Sequence, residues 1–108
     1  IMGSSRTRKE KLLMDELLNE INKNNLAVYG FEEVKKAITA GAISKLLITD
    51  DFIQQKREEG YYLELDELMK KIDHLQGEIN IISSQQESGQ KLDGLGGVAA
   101  LLRYKLKW

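Results

Sequence analysis

Two carboxylates in succession, Asp50 and Asp51, follow an apolar run, and such a pair at the end of a buried strand could share a proton or hold a cation. Consecutive carboxylates at that place are more often solvated turn residues, and two oxygen ligands without a third make a poor hard-metal site. His74, the one histidine, stands beside Asp73. A catalytic imidazole needs a nucleophile or acid to orient. None accompanies it, so His74 reads as a residue near a helix C-terminus, where the dipole favours its cation. The glycines of Gly94-Leu95-Gly96-Gly97 could cradle an oxyanion with backbone amides. A phosphate loop leads from strand to helix and carries Lys with Ser or Thr after its last glycine. These glycines lead from helix to strand, which makes them a turn. Arg6, Arg8, Lys9 and Lys11 could touch phosphate, but Glu10, Asp15 and Glu16 lie among or just after them, the pattern of a solvated helix face. No catalytic, metal or cofactor site is expected.

Eight elements would position these groups. Leu13, Leu17 and Ile21, with Met14 and Leu18, make one apolar stripe on a helix over about residues 7–23, ended by Asn24 and Asn25. Leu26 to Tyr29 is a short β-prone run stopped by Gly30. Phe31, Val34, Ala37 and Ile38 share a second helical face, with Glu32 and Glu33 in the first turn and Gly41 at the C′ position. Ile43 to Thr49 is nearly continuous apolar sequence, the mark of a central strand covered on both faces. Asp50 to Tyr62 has no steady period and reads as a long surface connection with room for one helical turn. Leu65, Leu68, Met69, Ile72 and Leu75 mark a third helix closed by Gly77, and Glu78 to Ile82 a short strand. Ser84 and Glu87 have capping-box spacing for a fourth helix through Leu92 and Leu95, and Val98 to Tyr104 is the last strand. Strands alternating with helices give an α/β fold, a three-layer α/β/α sandwich.

Composition narrows the function. A chain of 108 residues, 42% hydrophobic and 31% charged, can fill one core and solvate its outside, so one folded domain is expected. Sixteen Lys and Arg against seventeen Asp and Glu leave a net charge of -1, so bulk charge points to no polyanionic partner. Without Cys there is no disulfide framework, thiol nucleophile or Cys-bound zinc. No apolar run approaches the ~20 residues needed to span a bilayer. A cytoplasmic domain is expected, with no membrane or DNA partner, and residues 1–6 as a linker or cloning remnant ahead of a domain over 7–108.

Several spaced motifs carry a resemblance. They are Val28-Tyr29-Gly30-Phe31-Glu32-Glu33-Val34-Lys35-Lys36-Ala37, Ala40-Gly41-Ala42-Ile43, Leu46-Leu47-Ile48, Ile82-Ser83-Ser84, Glu87-Ser88-Gly89, and Gly97-Val98-Ala99-Ala100-Leu101-Leu102-Arg103-Tyr104. In that order, from about Ser5 onward, the chain resembles the C-terminal domain of the Pelota family, ribosome-rescue relatives of the archaeal and eukaryotic class 1 release factors. The release factors' Gly-Gly-Gln motif is absent, since Val98 follows Gly96-Gly97. The resemblance implies a mixed four-stranded sheet like that of the kink-turn-binding ribosomal proteins, used as a non-catalytic protein-docking module. It implies as partners an elongation-factor-like translational GTPase, a recycling ABC-type ATPase, and the ribosome through the full-length protein.

Two stretches carry residue-level expectations. The RNA-binding relatives start this second helix with Gly-x-Asn-Glu and a Lys or Thr nearby, and here Gly30, Glu33 and Lys36 match while Glu32 takes the Asn position. A carboxylate there replaces an amide donor and faces phosphate with negative charge, so kink-turn RNA binding is the lesser alternative. The plainer role of Glu32 and Glu33 is first-turn dipole stabilisation, with Glu32 and Lys36 an i,i+4 pair. In the release-factor branch, a Gly-Ile-Leu-Arg-Tyr stretch is tied to GTPase binding, and Ala100, Leu101, Leu102, Arg103 and Tyr104 occupy those positions. Val98, Ala100 and Leu102 are expected to pack in the core. Leu101 and Leu102 are carried as partner contacts with Arg103 and Tyr104, which are the better docking residues because Arg and Tyr are favoured anchors.

Overall fold

The computed structural model describes residues 4–23 and 26–104. The elements are α1 (Ser4–Asn22), β1 (Ala27–Tyr29), α2 (Phe31–Thr39), β2 (Ile43–Thr49), α3 (Asp50–Glu58), α4 (Tyr62–His74), β3 (Glu78–Ile82), α5 (Glu87–Gly94) and β4 (Val98–Leu102). The sheet order is β1-β4-β2-β3, with β4 antiparallel to both neighbours and β3 parallel to β2. This is the mixed four-stranded sandwich expected.

Alternation along the two central strands divides the core. Leu46, Ile48, Val98, Ala100 and Leu102 face α2, α3 and α4, where they meet Val34, Ala37, Ile38, Phe52, Leu65 and Ile72. Leu47, Ala99 and Leu101 face the other way, onto Leu13, Met14 and Leu17 of α1 and Leu92 of α5. Every residue of β4 is buried, as a strand covered on both faces must be. A register shift between Ile43 and Lys45 explains why Ile43 and Leu46, an odd spacing apart, pack on the same side. It leaves Lys45 half-exposed, 3.5 Å from Glu16 of α1.

The sequence reading departs from the structure at five places. The stretch taken as a surface connection is largely the regular helix α3. Its apolar content is low, with Phe52 buried and Ile53 partly buried against the core, and local polar chemistry marks its two ends. The Thr49 hydroxyl accepts from the Phe52 amide at 3.1 Å, Asp50 and Asp51 fill the first turn, and Lys56 and Arg57 the last. Helix α5 does not begin with a Ser84 capping box. It starts at Glu87 behind Gln86, because the Ser84 amide is drawn away to Asp50 and the Gln86 amide closes a turn on the Ser83 carbonyl. Helix α4 closes with Gln76 in the left-handed region at φ 65°, and Gly77 follows it, its amide donating back to the Ile72 carbonyl at 2.8 Å. The last strand stops at Leu102, and Arg103 and Tyr104 turn out of it. Helix α1 begins at Ser4, inside the stretch read as a linker, and the expected Asn24-Asn25 stop lies outside the described residues.

Two glycines are fixed by close approach. A Cβ on Gly89 would overlap the Ser83 carbonyl, which is how α5 comes to lie against the end of β3. Gly97 has φ 84°, and a Cβ there would come 2.8 Å from the Phe52 ring. Gly89→Ala is therefore expected to destabilise the domain by at least the ~1–3 kcal/mol typical of overpacking, measured by urea unfolding. Leu102→Ala, deleting a side chain only 7% exposed, should cost about 2–5 kcal/mol in the same assay.

Candidate functional site

The polar residues singled out by sequence gather at opposite ends of the sheet. At one end the chain leaves β2 through Thr49, whose hydroxyl donates to Asp93 Oδ1 at 2.7 Å while accepting from the Phe52 amide. Asp50 Oδ1 accepts from the backbone amides of Ser84 and Asp51, each at 2.9 Å. The Gly97 carbonyl accepts from the Thr49 amide at 2.9 Å, and the Gly97 amide donates to Leu92 at the same distance. The loops after β2, β3 and α5 are thereby stitched together.

This settles what those groups do. Asp50 and Asp51 are the first turn of a helix, and Asp50 has its acceptor capacity directed at amides. The amides of Gly96 and Gly97 point back to Asp93 and Leu92 rather than into an open cradle. His74 is exposed in the last turn of α4. Arg8, Lys9 and Lys11 are exposed on α1, with Glu10 buried between them. Among the described residues, no three His, Cys, Asp or Glu side chains gather as metal ligands, and no helix is long and apolar enough to cross a membrane.

The start of α2 keeps the frame of the RNA-binding relatives. Gly30 stands at the N-cap with φ 88°, and no side chain caps the helix. Glu32 is exposed and pairs with Lys35 at 3.3 Å, an i,i+3 pairing in place of the expected one with Lys36. Glu33 is half-exposed in the same turn and Lys36 is exposed on the helix. The frame is present, with a carboxylate at its key position.

The other end of the sheet holds the last four candidates, and the structure separates them into two kinds. Leu101 and Leu102 are buried on opposite faces of the sheet. Arg103 and Tyr104 reach the surface, but their polar atoms are engaged. The Arg103 guanidinium donates through Nε to the Ile43 carbonyl at 3.0 Å and through Nη2 to the Leu75 carbonyl at 2.7 Å. The Tyr104 hydroxyl donates to the Ala40 carbonyl at 2.8 Å. Leu75 and Ala40 are the C-caps of α4 and α2, so the two side chains satisfy carbonyls that a helix end leaves without internal partners. A cation is also the charge the C-terminal dipole favours.

Sequence reasoning missed the Thr49 junction and a cluster around Lys56. The Lys56 ammonium lies 4.6 Å from the Phe31 ring, 5.3 Å from Phe52 and 5.5 Å from Tyr61, and 3.5 Å from Glu59. The Thr-Asp-Asp sequence is a helix-start signal that could have exposed the first; no local pattern announces the second, whose rings come from three segments.

Residues 7–106 match the family model described as eRF1 domain 3. The chain is 42% identical over 106 residues to a protein pelota homolog of Methanosarcina acetivorans, covering 98% of this chain and 30% of that relative. Pelota of Archaeoglobus fulgidus superposes with a TM-score of 0.91 at 36% identity, over 98% of this chain and 32% of that one. Dom34 of S. cerevisiae, a translation termination-like factor interacting with Hbs1, gives 0.89 at 34% identity over 99% and 30%. Archaeal Pelota bound to the ribosome with ABCE1 gives 0.82 at 35% over 94% and 27%. The chain thus spans about a third of the length of these relatives.

The Asp50 contacts predict a pH dependence. The Ser84 amide is the main influence holding its carboxyl below the ordinary value of 3.8, burial opposing it and the Asp51 amide adding to it. A carboxyl lowered in the folded state contributes stability that is complete above its unfolded value and is lost as pH falls through the folded one. Asp50→Asn should therefore be less stable than the parent at pH 7, with the gap closing as pH falls below about 4. Urea unfolding of both proteins across pH 3–7 tests this, and a gap independent of pH would refute it.

Proposed function

The chain belongs to the eRF1 domain 3 family as a Pelota-type C-terminal domain, and from that premise we propose that it is a non-catalytic protein-docking domain of a ribosome-rescue factor. The observation that carries the reading is the similarity along nearly the whole domain, 42% over 106 residues. The site geometry supports it, because the groups with most catalytic potential, Asp50, Asp93 and Thr49, are committed to holding loops together. The yeast neighbour interacts with Hbs1, and the archaeal one is bound to the ribosome with ABCE1. The proposed partners are accordingly an elongation-factor-like translational GTPase and an ABC-type recycling ATPase, with the ribosome reached through the rest of the parent protein. That work belongs to the cytoplasm, and the family match over residues 7–106 supports reading the docking unit there.

Docking of the GTPase is assigned to the surface end of β4. Arg103 and Tyr104 supply the contact, and Leu101 and Leu102 supply the packed base beneath it. The carboxylate of Glu32 weighs against the RNA alternative at Gly30, Glu33 and Lys36, because a phosphate backbone brought to this helix start would meet like charge.

Titration with an Hbs1-type GTPase tests the docking assignment. Tyr104→Ala is expected to weaken binding by on the order of 2 kcal/mol, the loss of an interface anchor. Tyr104→Phe, which removes only the hydroxyl bond to Ala40, should bind close to the parent. Arg103→Ala should weaken binding and also lower the melting temperature, since it vacates two carbonyls. If Arg103→Ala and Tyr104→Ala both bind like the parent, the docking surface lies elsewhere.

A further inference from the structure

A small cavity opens between α1 and the start of α5, on the side of the sheet away from α2 and α4. Its volume is about 240 Å³, and the buried Met14 gives it an apolar floor. Ser88, in the first turn of α5, lines it and is only 8% exposed. The Ser88 hydroxyl makes no hydrogen bond among the described residues. A buried polar group of that kind ordinarily has a partner.

The helix start beside that hydroxyl is open as well. Gln86 stands at the N-cap without a side-chain cap, and the amides of Glu87, Ser88 and Gly89 donate to no group among the described residues. Free amides and the positive end of the helix dipole together favour an anion. Four charged side chains line the cavity. Lys91 is paired with Glu87 at 3.4 Å, an exposed contact of little strength. Lys11 and Asp15 lie one helical turn apart, yet neither forms an ion pair among the described residues. The Lys11 ammonium is therefore available to an incoming anion.

We propose that this cavity is a recognition pocket for a glutamate side chain of a partner protein. The carboxylate accepts from the Ser88 hydroxyl and the first amides of α5, with Lys11 alongside, and the methylenes lie over Met14. Two observations choose this occupant. A volume of about 240 Å³ falls below the roughly 300–1,000 Å³ of small-molecule sites and suits one side chain. Asp15 and Glu87 at the rim oppose a dianionic phosphate or a nucleic-acid backbone more than a single carboxylate. The inference rests on the docking reading only for the source of the glutamate. Arg103 and Tyr104 close α4 and α2 on the other side of the sheet, so failure of that assignment is distinguishable from failure of this one.

The end-blocked tripeptide Gly-Glu-Gly, its Gly-Gln-Gly counterpart and inorganic phosphate are the probes, each titrated into the isotopically labelled chain by NMR. The Glu peptide should give saturable shifts at residues 86–91 and around Lys11, and should weaken with added salt. Ser88→Ala should lower its affinity about tenfold, the loss of a hydrogen bond to a charged group. The same variant should leave the melting temperature in place, because it removes no hydrogen bond within the described residues. Asp15→Asn, which takes a like charge off the rim, should tighten binding. Equal binding of the Gln peptide, tighter binding of phosphate at the same resonances, absence of saturable shifts there, or parent-like affinity in Ser88→Ala would each overturn the proposal.

Discussion

The hydroxyl of Thr49 is the constraint on which the arrangement of the sheet's polar end depends. Thr49 is fully buried, and a buried hydroxyl without partners would be costly. It has two, donating to Asp93 at the end of α5 and accepting from Phe52 at the start of α3. One atom therefore fixes where the central strand stops, how the next helix begins and where a helix from the far end of the chain must lie. Phe52, placed by that bond, packs against Gly97, where only a glycine leaves room. Gly97 in turn returns its carbonyl to the Thr49 amide. The neighbouring Asp50 extends the junction to Ser84, beyond β3.

The opposite end of the sheet is held by different chemistry. There Arg103 and Tyr104 reach back to the last carbonyls of α4 and α2 and to the first residue of β2. Helix ends leave such carbonyls without internal partners, and long donors arriving from the final strand meet that need. The docking proposed for this end would thus draw on the same two side chains that close the two helices.

The three-layer architecture was legible because its signals are periodic. The stripe of Leu13 and Leu17, the face of Val34 and Ile38, and the uninterrupted β2 and β4 each encode burial in spacing alone. Helix α3 was not legible by that rule, since it fully buries one side chain and its ends are marked by caps and charges that carry no apolar period. The Ser84 capping box misled because Asp50, distant in sequence, competes for its amide. The division of the last four candidates into two core leucines and two surface residues follows from strand alternation and from the strand's stop at Leu102. The commitment of Arg103 to carbonyls of α4 and β2 could not be read, because the distances in sequence are too large for any local pattern.

The placement of β4 also orders events during synthesis. It lies between β1 and β2, hydrogen-bonded to both, although it is the last strand among the described residues. Until residues 98–102 leave the ribosome, β1 has no strand to pair with and β2 has only β3. The helices on both faces must then cover a split sheet whose central slot is vacant, and pairings this remote in sequence form late. One short, wholly apolar strand is thus what joins β1 to the β2–β3 pair and closes the sheet.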